Sequence, residues 1–276
     1  MAYEAEISRS NPSTFLFLID NSGSMIDKFG EGKRKAEGVA DAINKLLQNL
    51  AIKCSKSEGI RDYYEVGVIG YGKKVEPAFS GPLAGSALVP ISEVANNPAK
   101  IEERKRKVDD GAGGLTEESV KFPIWFSPKA AGQTPMCKAL KTAAETLAPW
   151  VEQHQYSFPP IVINITDGES TDGDPTADAD NLRGLETQDG NILLFNCHVS
   201  GAQGESVLFA DAEEGLPDQF AKLLFGMSSV LPDPLREAAE REGFQVSGNS
   251  RGFGFNADLV ELIRFLDIGT RPGNLR

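Results

Sequence analysis

A chain of 276 residues with 40 acidic against 28 basic side chains carries a formal net charge of −12. No basic excess exists to displace counterions from phosphates, which excludes nucleic acid as a partner and disfavours an anionic membrane surface for the same reason. No segment approaches the roughly 20 apolar residues that a bilayer span needs, and the length suits a single domain over 1–276 with a substantial core.

The N-terminus, Met1 to Glu6, is acidic where a secretory leader would be basic and then apolar. Cys54, Cys137 and Cys197 are too few and too scattered for a disulfide framework or a zinc spacing. Both features predict a reducing cytoplasm, with Cys137 and Cys197 serving as small core hydrophobes.

In chain order, the first clear element is the apolar run from Phe15 to Ile19, which closes on Asp20 and is followed by Asn21, Ser22, Gly23 and Ser24. Such a run, bounded by turn formers, predicts a buried strand of a parallel sheet. Ligands of open α/β sheets sit just beyond the carboxyl ends of such strands, where Asp20, Ser22 and Ser24 fall. Gly23 lets the backbone turn tightly enough to aim both hydroxyls at one point. Oxygen ligands alone suit Mg²⁺ or Mn²⁺ rather than zinc. The same residues also fit an ordinary strand end with a Ser/Gly turn and a helix cap.

Residues 32–50 place Ala36, Val39, Ala40, Ile43, Leu46, Leu47 and Leu50 on one helical stripe. A strand over 61–71 and an antiparallel edge strand over 75–79 follow. Residues 80–131 predict a β-rich insertion, with the charged run 102–107 as a solvated hairpin arm and a break at 109–114. Pro123 confines the aromatic piece 120–126 to an edge or a bulge, and Trp125 and Phe126 are either satellite core or an exposed contact patch. Thr134 then offers an N-cap hydroxyl, with Pro135 at the first position of a helix running to residue 153. His154 falls at its exposed end as polar surface. A second buried strand, 161–166, closes on Asp167.

Beyond it, Glu169, Asp172, Asp174, Asp178 and Asp180 do not have the spacing of an EF-hand loop. Asp174 before Pro175 predicts a helix cap instead. Residues 191–199 form another strand, with His198 as a hydrogen-bonded core residue, and 206–209 add one more. Helices over 217–225 and 233–242 stop at Gly226 and Gly243. An amphipathic helix over 256–268 ends the fold, and 269–276 is a tail. The alternation predicts an α/β fold, a doubly wound and mostly parallel central sheet flanked by helices.

Three stretches belong together: Asp20-x-Ser22-x-Ser24, the loop Gly132-Gln133-Thr134-Pro135-Met136, and the strand closing on Thr166, Asp167 and Gly168. They resemble the metal-ion-dependent adhesion site of von Willebrand factor A (vWA) domains, with Asp20, Ser22, Ser24, Thr134 and Asp167 matching its five residues in order and context. The resemblance covers residues 13–79 and 132–199. It implies Mg²⁺, with Mn²⁺ as a substitute, held directly by hydroxyls and through water by the carboxylates. It also implies capture of another protein by an Asp or Glu that completes the coordination.

Within that family, the length, the Thr-Pro-Met loop and the run from Phe255 to Val260 resemble stand-alone bacterial cytosolic proteins of tellurite-resistance and stress operons. A kinase or phosphatase partner is implied there, and an adaptor for an AAA+ or chelatase-type ATPase is the neighbouring alternative. A Mg²⁺-dependent phosphohydrolase of the haloacid-dehalogenase type would need a second carboxylate two residues after Asp20, where this chain has Ser22. No phosphate-cradling loop is present, and neither histidine sits in a nucleophile–base–carboxylate setting. The expectation is a binding module and not an enzyme.

Overall fold

The apolar run that closes on Asp20 becomes strand β1, Ser13–Asp20, and every one of its eight residues is buried. The structure is a computed structural model that describes residues 3–29, 32–109, 115–200 and 205–270. Eight strands make one sheet. Besides β1 they are β2 (Tyr64–Tyr71), β3 (Val75–Pro77), β4 (Val89–Pro90), β7 (Ile161–Thr166), β8 (Leu193–Val199), β9 (Val207–Leu208) and β10 (Phe253–Ala257). Strands β5 (Lys100–Asp109) and β6 (Leu115–Ile124) pair only with each other.

The sheet order is β9-β10-β8-β7-β1-β2-β3, with β4 also on β2. Strands β10, β8, β7, β1 and β2 run parallel, and the short edge strands β9, β3 and β4 run antiparallel. This is the mostly parallel sheet that the sequence predicts.

Alternate residues of β1 feed two separate cores, because successive side chains of a strand point to opposite faces. Phe15, Phe17 and Ile19 pack with α1 (Lys35–Lys53), α2 (Ile91–Asn96), α6 (Asp233–Arg241) and α7 (Leu259–Gly269). Leu16 and Leu18 pack on the other face with α3 (Met136–Gln153), α4 (Thr176–Arg183) and α5 (Gln219–Met227). A strand covered on both faces has no polar side to show, which is why Phe15 to Ile19 within β1 are apolar without interruption. Among the described residues, no helix is long and apolar enough to cross a membrane.

The C-terminal third departs from its sequence expectation in two places. Residues 253–257 form strand β10, and the last helix begins only at Leu259, where the Asp258 carboxylate caps the Val260 and Glu261 N–H groups. Alternating Gly and Phe hid the strand from a periodicity reading. A Cβ on Gly252 would fall 2.0 Å from the Phe195 ring, and one on Gly254 3.0 Å from Leu208, so these glycines let neighbouring chains approach closely. Gly226 does not stop α5, which runs on to Met227. Most of the break expected at 109–114 and of the tail at 269–276 lies outside the described residues.

Within 80–131, the short helix α2 is followed by the two-stranded arm β5–β6, which reaches α1 through the Arg104–Asp41 ion pair at 2.8 Å. Trp125 and Phe126 are core and not a contact patch, both buried within the α1 side of the molecule. A single polar side chain on α1 ties them there. The Asn44 carbonyl oxygen accepts the Trp125 and Phe126 N–H groups at 2.8 and 3.0 Å. Its amide nitrogen donates to the carbonyls of Phe126 and Ala40, both at 2.8 Å. A buried polar residue in the apolar stripe of a helix is tolerable because each of these bonds is made. Asn44→Leu strands two buried N–H groups, so it should cost about 2–4 kcal/mol in urea denaturation. A loss below about 0.5 kcal/mol would show that Asn44 does not anchor this segment.

Candidate metal centre

Parallel pairing sets the carboxyl ends of β1 and β7 side by side, with Ile19 opposite Ile165. Asp20 is the last residue of β1 and Asp167 follows β7 directly. The chain after Asp20 turns tightly through Asn21 and Ser22 into one 3-10 turn, Gly23–Ile26, which carries Ser24. The Ser22 N–H donates to Asp20 Oδ1 at 2.7 Å and holds the turn against its own carboxylate. Two backbone bonds lock the second loop onto the first. The Gly23 N–H donates to the Gly132 carbonyl at 3.0 Å, and the Ala131 N–H donates to the Asn21 carbonyl at 2.6 Å. Gly132 has a φ of +98°, and a Cβ there would fall 2.3 Å from the Lys73 nitrogen, so glycine is required on both counts.

The five residues singled out in the sequence come together. Ser22 Oγ and Ser24 Oγ lie 2.9 Å apart, and the Ser24 hydroxyl donates to Asp167 Oδ1 at 2.7 Å. Thr134 stands two residues before α3, buried, and a Cβ on Gly168 would lie 3.8 Å from its hydroxyl. Its carbonyl accepts the Thr171 N–H at 2.9 Å, which ties the second loop to the third.

The capping role open to Thr134 is not realised. The residue preceding the first helical turn is Pro135, and no side chain there caps it. The Asp172 carboxylate does so from the third loop, accepting the Cys137 and Lys138 N–H groups at 3.0 Å each. Burial opposes the ionised form of Asp172, but these two bonds and the Ser170 hydroxyl outweigh it and hold the carboxyl below its usual range. Among the described residues nothing hydrogen-bonds the Thr134 hydroxyl, which leaves it free to act as a ligand.

Asp20 has no exposed surface. Its second oxygen accepts the Thr166 hydroxyl at 2.9 Å. Burial raises its pKa from the ordinary 3.8 to about 6, against the lowering effect of the Ser22 and Thr166 hydrogen bonds. The Asp167 residue is half-buried but its side chain has no exposed surface, and the Lys35 ammonium lies 2.8 Å from its Oδ2. Lys35 and Thr166 did not emerge as site residues from the sequence. The signal for Lys35 was its place: it opens α1, behind Arg34, at the positive end of the helix dipole where a cation is disfavoured unless something else holds it.

The donor chemistry fits a small divalent cation. Among the described residues no three His, Cys, Asp or Glu side chains gather as a metal site; here the donors are two carboxylates and three hydroxyls. Adjacent ligands of an octahedral Mg²⁺ with bonds of about 2.0–2.1 Å stand roughly 2.9 Å apart, which is the Ser22–Ser24 separation. Of the other features, His198 borders the centre: its ring hydrogen-bonds the Asp167 backbone and stacks on Phe255, its Nδ1 accepts the Asn256 N–H, and burial pushes its pKa down against the pull of the Asp167 charge. The remaining two keep out. His154 stacks on Trp150, and the Asp174 carboxylate accepts the Thr176 N–H as α4 begins.

No family model and no curated protein matches this sequence. Solved structures do. One is a von Willebrand factor type A protein from Catenulispora acidiphila, at 13% identity and a TM-score of 0.49, over 95% of this chain and 42% of that one. Another is the manganese-loaded TRAP protein of Plasmodium vivax, at 15% identity and a TM-score of 0.41, over 93% and 72%. A third is the pilus adhesin SpaC from Lactobacillus rhamnosus GG, at 13% identity and a TM-score of 0.47, over 97% and 32%. The chain therefore spans less than half the length of the first and third. At such identities the likeness concerns the fold alone.

The raised pKa of Asp20 fixes the sign of a stability effect. The folded state binds the proton more tightly than the unfolded state, so the contribution is full below pH 3.8 and is lost as pH rises through about 6. Two units correspond to about 3 kcal/mol. Asp20→Asn removes the buried charge, and the Thr166 hydroxyl can turn its proton to the Gly168 carbonyl 2.9 Å away and accept from the new amide. In EDTA, Asp20→Asn should melt above wild type at pH 7.5, with the gap closing towards pH 4. A variant that melts below wild type at pH 7.5 would show that the buried carboxylate is held without cost.

Proposed function

We propose that this chain is a vWA-type protein-binding module that works through a divalent cation, Mg²⁺ or Mn²⁺, held by Asp20, Ser22, Ser24, Thr134 and Asp167. The observation that carries the reading is the convergence of three loops, at the carboxyl ends of two adjacent parallel strands, on neutral hydroxyls backed by two buried carboxylates. Bound there, a divalent cation supplies an electrophilic position for an Asp or Glu of another protein. Ser22, Ser24 and Thr134 provide neutral oxygens, while Asp20 and Asp167 sit behind them and hold the loops in place.

Lys35 adds the electrostatic reason. Two carboxylates against one ammonium leave one net negative charge, which a divalent cation turns into one net positive charge. An incoming carboxylate then neutralises the centre. Binding in place of catalysis is favoured because Ser22 stands where a phosphohydrolase of this kind would need its second carboxylate. The finer reading is a cytoplasmic adaptor in bacterial stress or kinase–phosphatase signalling, or one serving an AAA+ partner. It draws on the Thr134-Pro135-Met136 loop, the run from Phe255 to Val260 and three unpaired, buried cysteines.

Mg²⁺ or Mn²⁺ should raise the melting temperature of the wild-type protein. At ten times the dissociation constant, linkage gives about 1.4 kcal/mol, and Asp20→Ala should remove most of it. A melting curve indifferent to millimolar levels of both ions overturns the metal reading. Lys35→Met separates the charge argument from the ligand set. Without metal it should melt below wild type, because Asp167 is left buried and unpaired, yet by calorimetric titration it should bind Mn²⁺ about tenfold more tightly. Equal or weaker Mn²⁺ binding would mean that Lys35 does not oppose the cation.

A further inference from the structure

Beside the candidate loops lies a cavity of about 500 Å³, within the range of clefts that take ligand groups. Asn21, the residue between Asp20 and Ser22, forms part of its wall, and Ala131, whose N–H is bonded to Asn21, forms another part. The cavity and the candidate centre are therefore built on the same two loops, although none of the five candidate ligands lines the cavity. Three lysines line it, Lys73 and Lys74 from the turn after β2, and Lys129 from the segment after β6. One acid faces them: Glu76, 3.5 Å from Lys129. Among the described residues no acid pairs with Lys73 or Lys74. In a chain whose acidic side chains outnumber its basic ones by 40 to 28, this is a local excess of positive charge next to the proposed metal.

We propose that this cavity is a second anchoring point for the partner, taking an acidic side chain that follows the one on the metal. The proposal rests on the metal-bridged reading and specifies its partner as an acidic peptide segment with at least two carboxylates. Small walls of Ala78 and Ala130 admit the methylene stem of a Glu, and the exposed Lys73 and Lys74 receive its head. Lysines act as point charges, with none of the planar bidentate geometry by which arginine grips phosphate, and no arginine lines the cavity. Backbone geometry holds the two anchoring points together. The Lys73 N–H donates to the Ala131 carbonyl at 2.9 Å, and a Cβ on Gly72 would fall 2.7 Å from that same oxygen.

The test is fluorescence anisotropy of a fluorescein-labelled hexaglutamate peptide, titrated with full-length protein at low ionic strength in saturating Mn²⁺ and again in EDTA. Lys73→Glu/Lys74→Glu should weaken binding in Mn²⁺ by at least about tenfold. The control Lys45→Glu/Lys56→Glu, with the same charge change on exposed residues of α1 and the turn after it, should stay within about twofold of wild type. All four positions are exposed, and matching melting curves verify that each protein is folded. Equal affinity of the two double variants overturns the proposal. So does a wild type that binds no peptide while Mn²⁺ still raises its melting temperature, in which case the metal reading stands. Tripolyphosphate displacing the peptide more effectively than unlabelled hexaglutamate would mark a general polyanion site, and would also overturn it. Loss of binding in Lys73→Glu/Lys74→Glu, with wild type equally tight in EDTA, supports the pocket and overturns the metal bridge instead.

Discussion

A carboxylate without exposed surface, at the end of a strand buried on both faces, is the constraint on which the rest of this site depends. Asp20 is ionised at neutral pH only against the cost of its burial, which raises its pKa to about 6. The tight turn that brings the Ser22 N–H onto one oxygen, and the Thr166 hydroxyl on the other, lower that cost without removing it. Asp167 meets the same difficulty one strand away and solves it differently, with the Lys35 ammonium. The two carboxylates are thus held by unequal means. The first is poised to gain from a cation, and the second already has one.

The loops around them are fixed by backbone and not by long side chains. Gly132 in its left-handed conformation, Gly72 against the Ala131 carbonyl and Gly23 bonded to the Gly132 carbonyl bring three segments within hydrogen-bonding distance. Each close approach would be closed off by a Cβ at Gly72 or Gly132. Asp172 completes the arrangement by capping α3 from the third loop, so the hydroxyl of Thr134 has no structural duty at the helix start. The candidate centre and the lysine-lined cavity are built on the same loop cluster, which gathers Lys73, Lys74 and Lys129 on one face of a −12 chain.

Away from that face the sheet behaves as its composition demands. Phe15, Phe17 and Ile19 serve one core while Leu16 and Leu18 serve the other, and helices cover both. The buried Asn44 is the exception within a helix stripe, and it holds Trp125 and Phe126 through three hydrogen bonds to their backbone while a fourth goes to the Ala40 carbonyl of its own helix. That tie brings the 80–131 segment into the α1 core at its base, while the strands β5 and β6 pair only with each other and Arg104 reaches back to Asp41 of α1.

By itself the sequence determined the local choices. Apolar runs specified β1 and β7, the second interrupted by Asn164, helical periodicity specified α1 and α3, and Asp-x-Ser-x-Ser at a strand end specified where the Ser22 and Ser24 hydroxyls would meet, because all of these are encoded within one element or one turn. Tertiary structure decided whatever depends on a partner distant in the chain. Lys35 meets Asp167 across 132 positions and Thr166 meets Asp20 across 146, separations at which no local pattern exists. Strand β10 fits because Leu208 and Cys197 lie beside its Gly254 and Phe195 beside Gly252 just before it, although Gly and Phe in alternation carry no strand signal of their own. Thr134 lost its cap role to Asp172, 38 residues on by the chain but adjacent in space. Local propensity offers several uses for a side chain, and only the packed neighbours leave one of them standing.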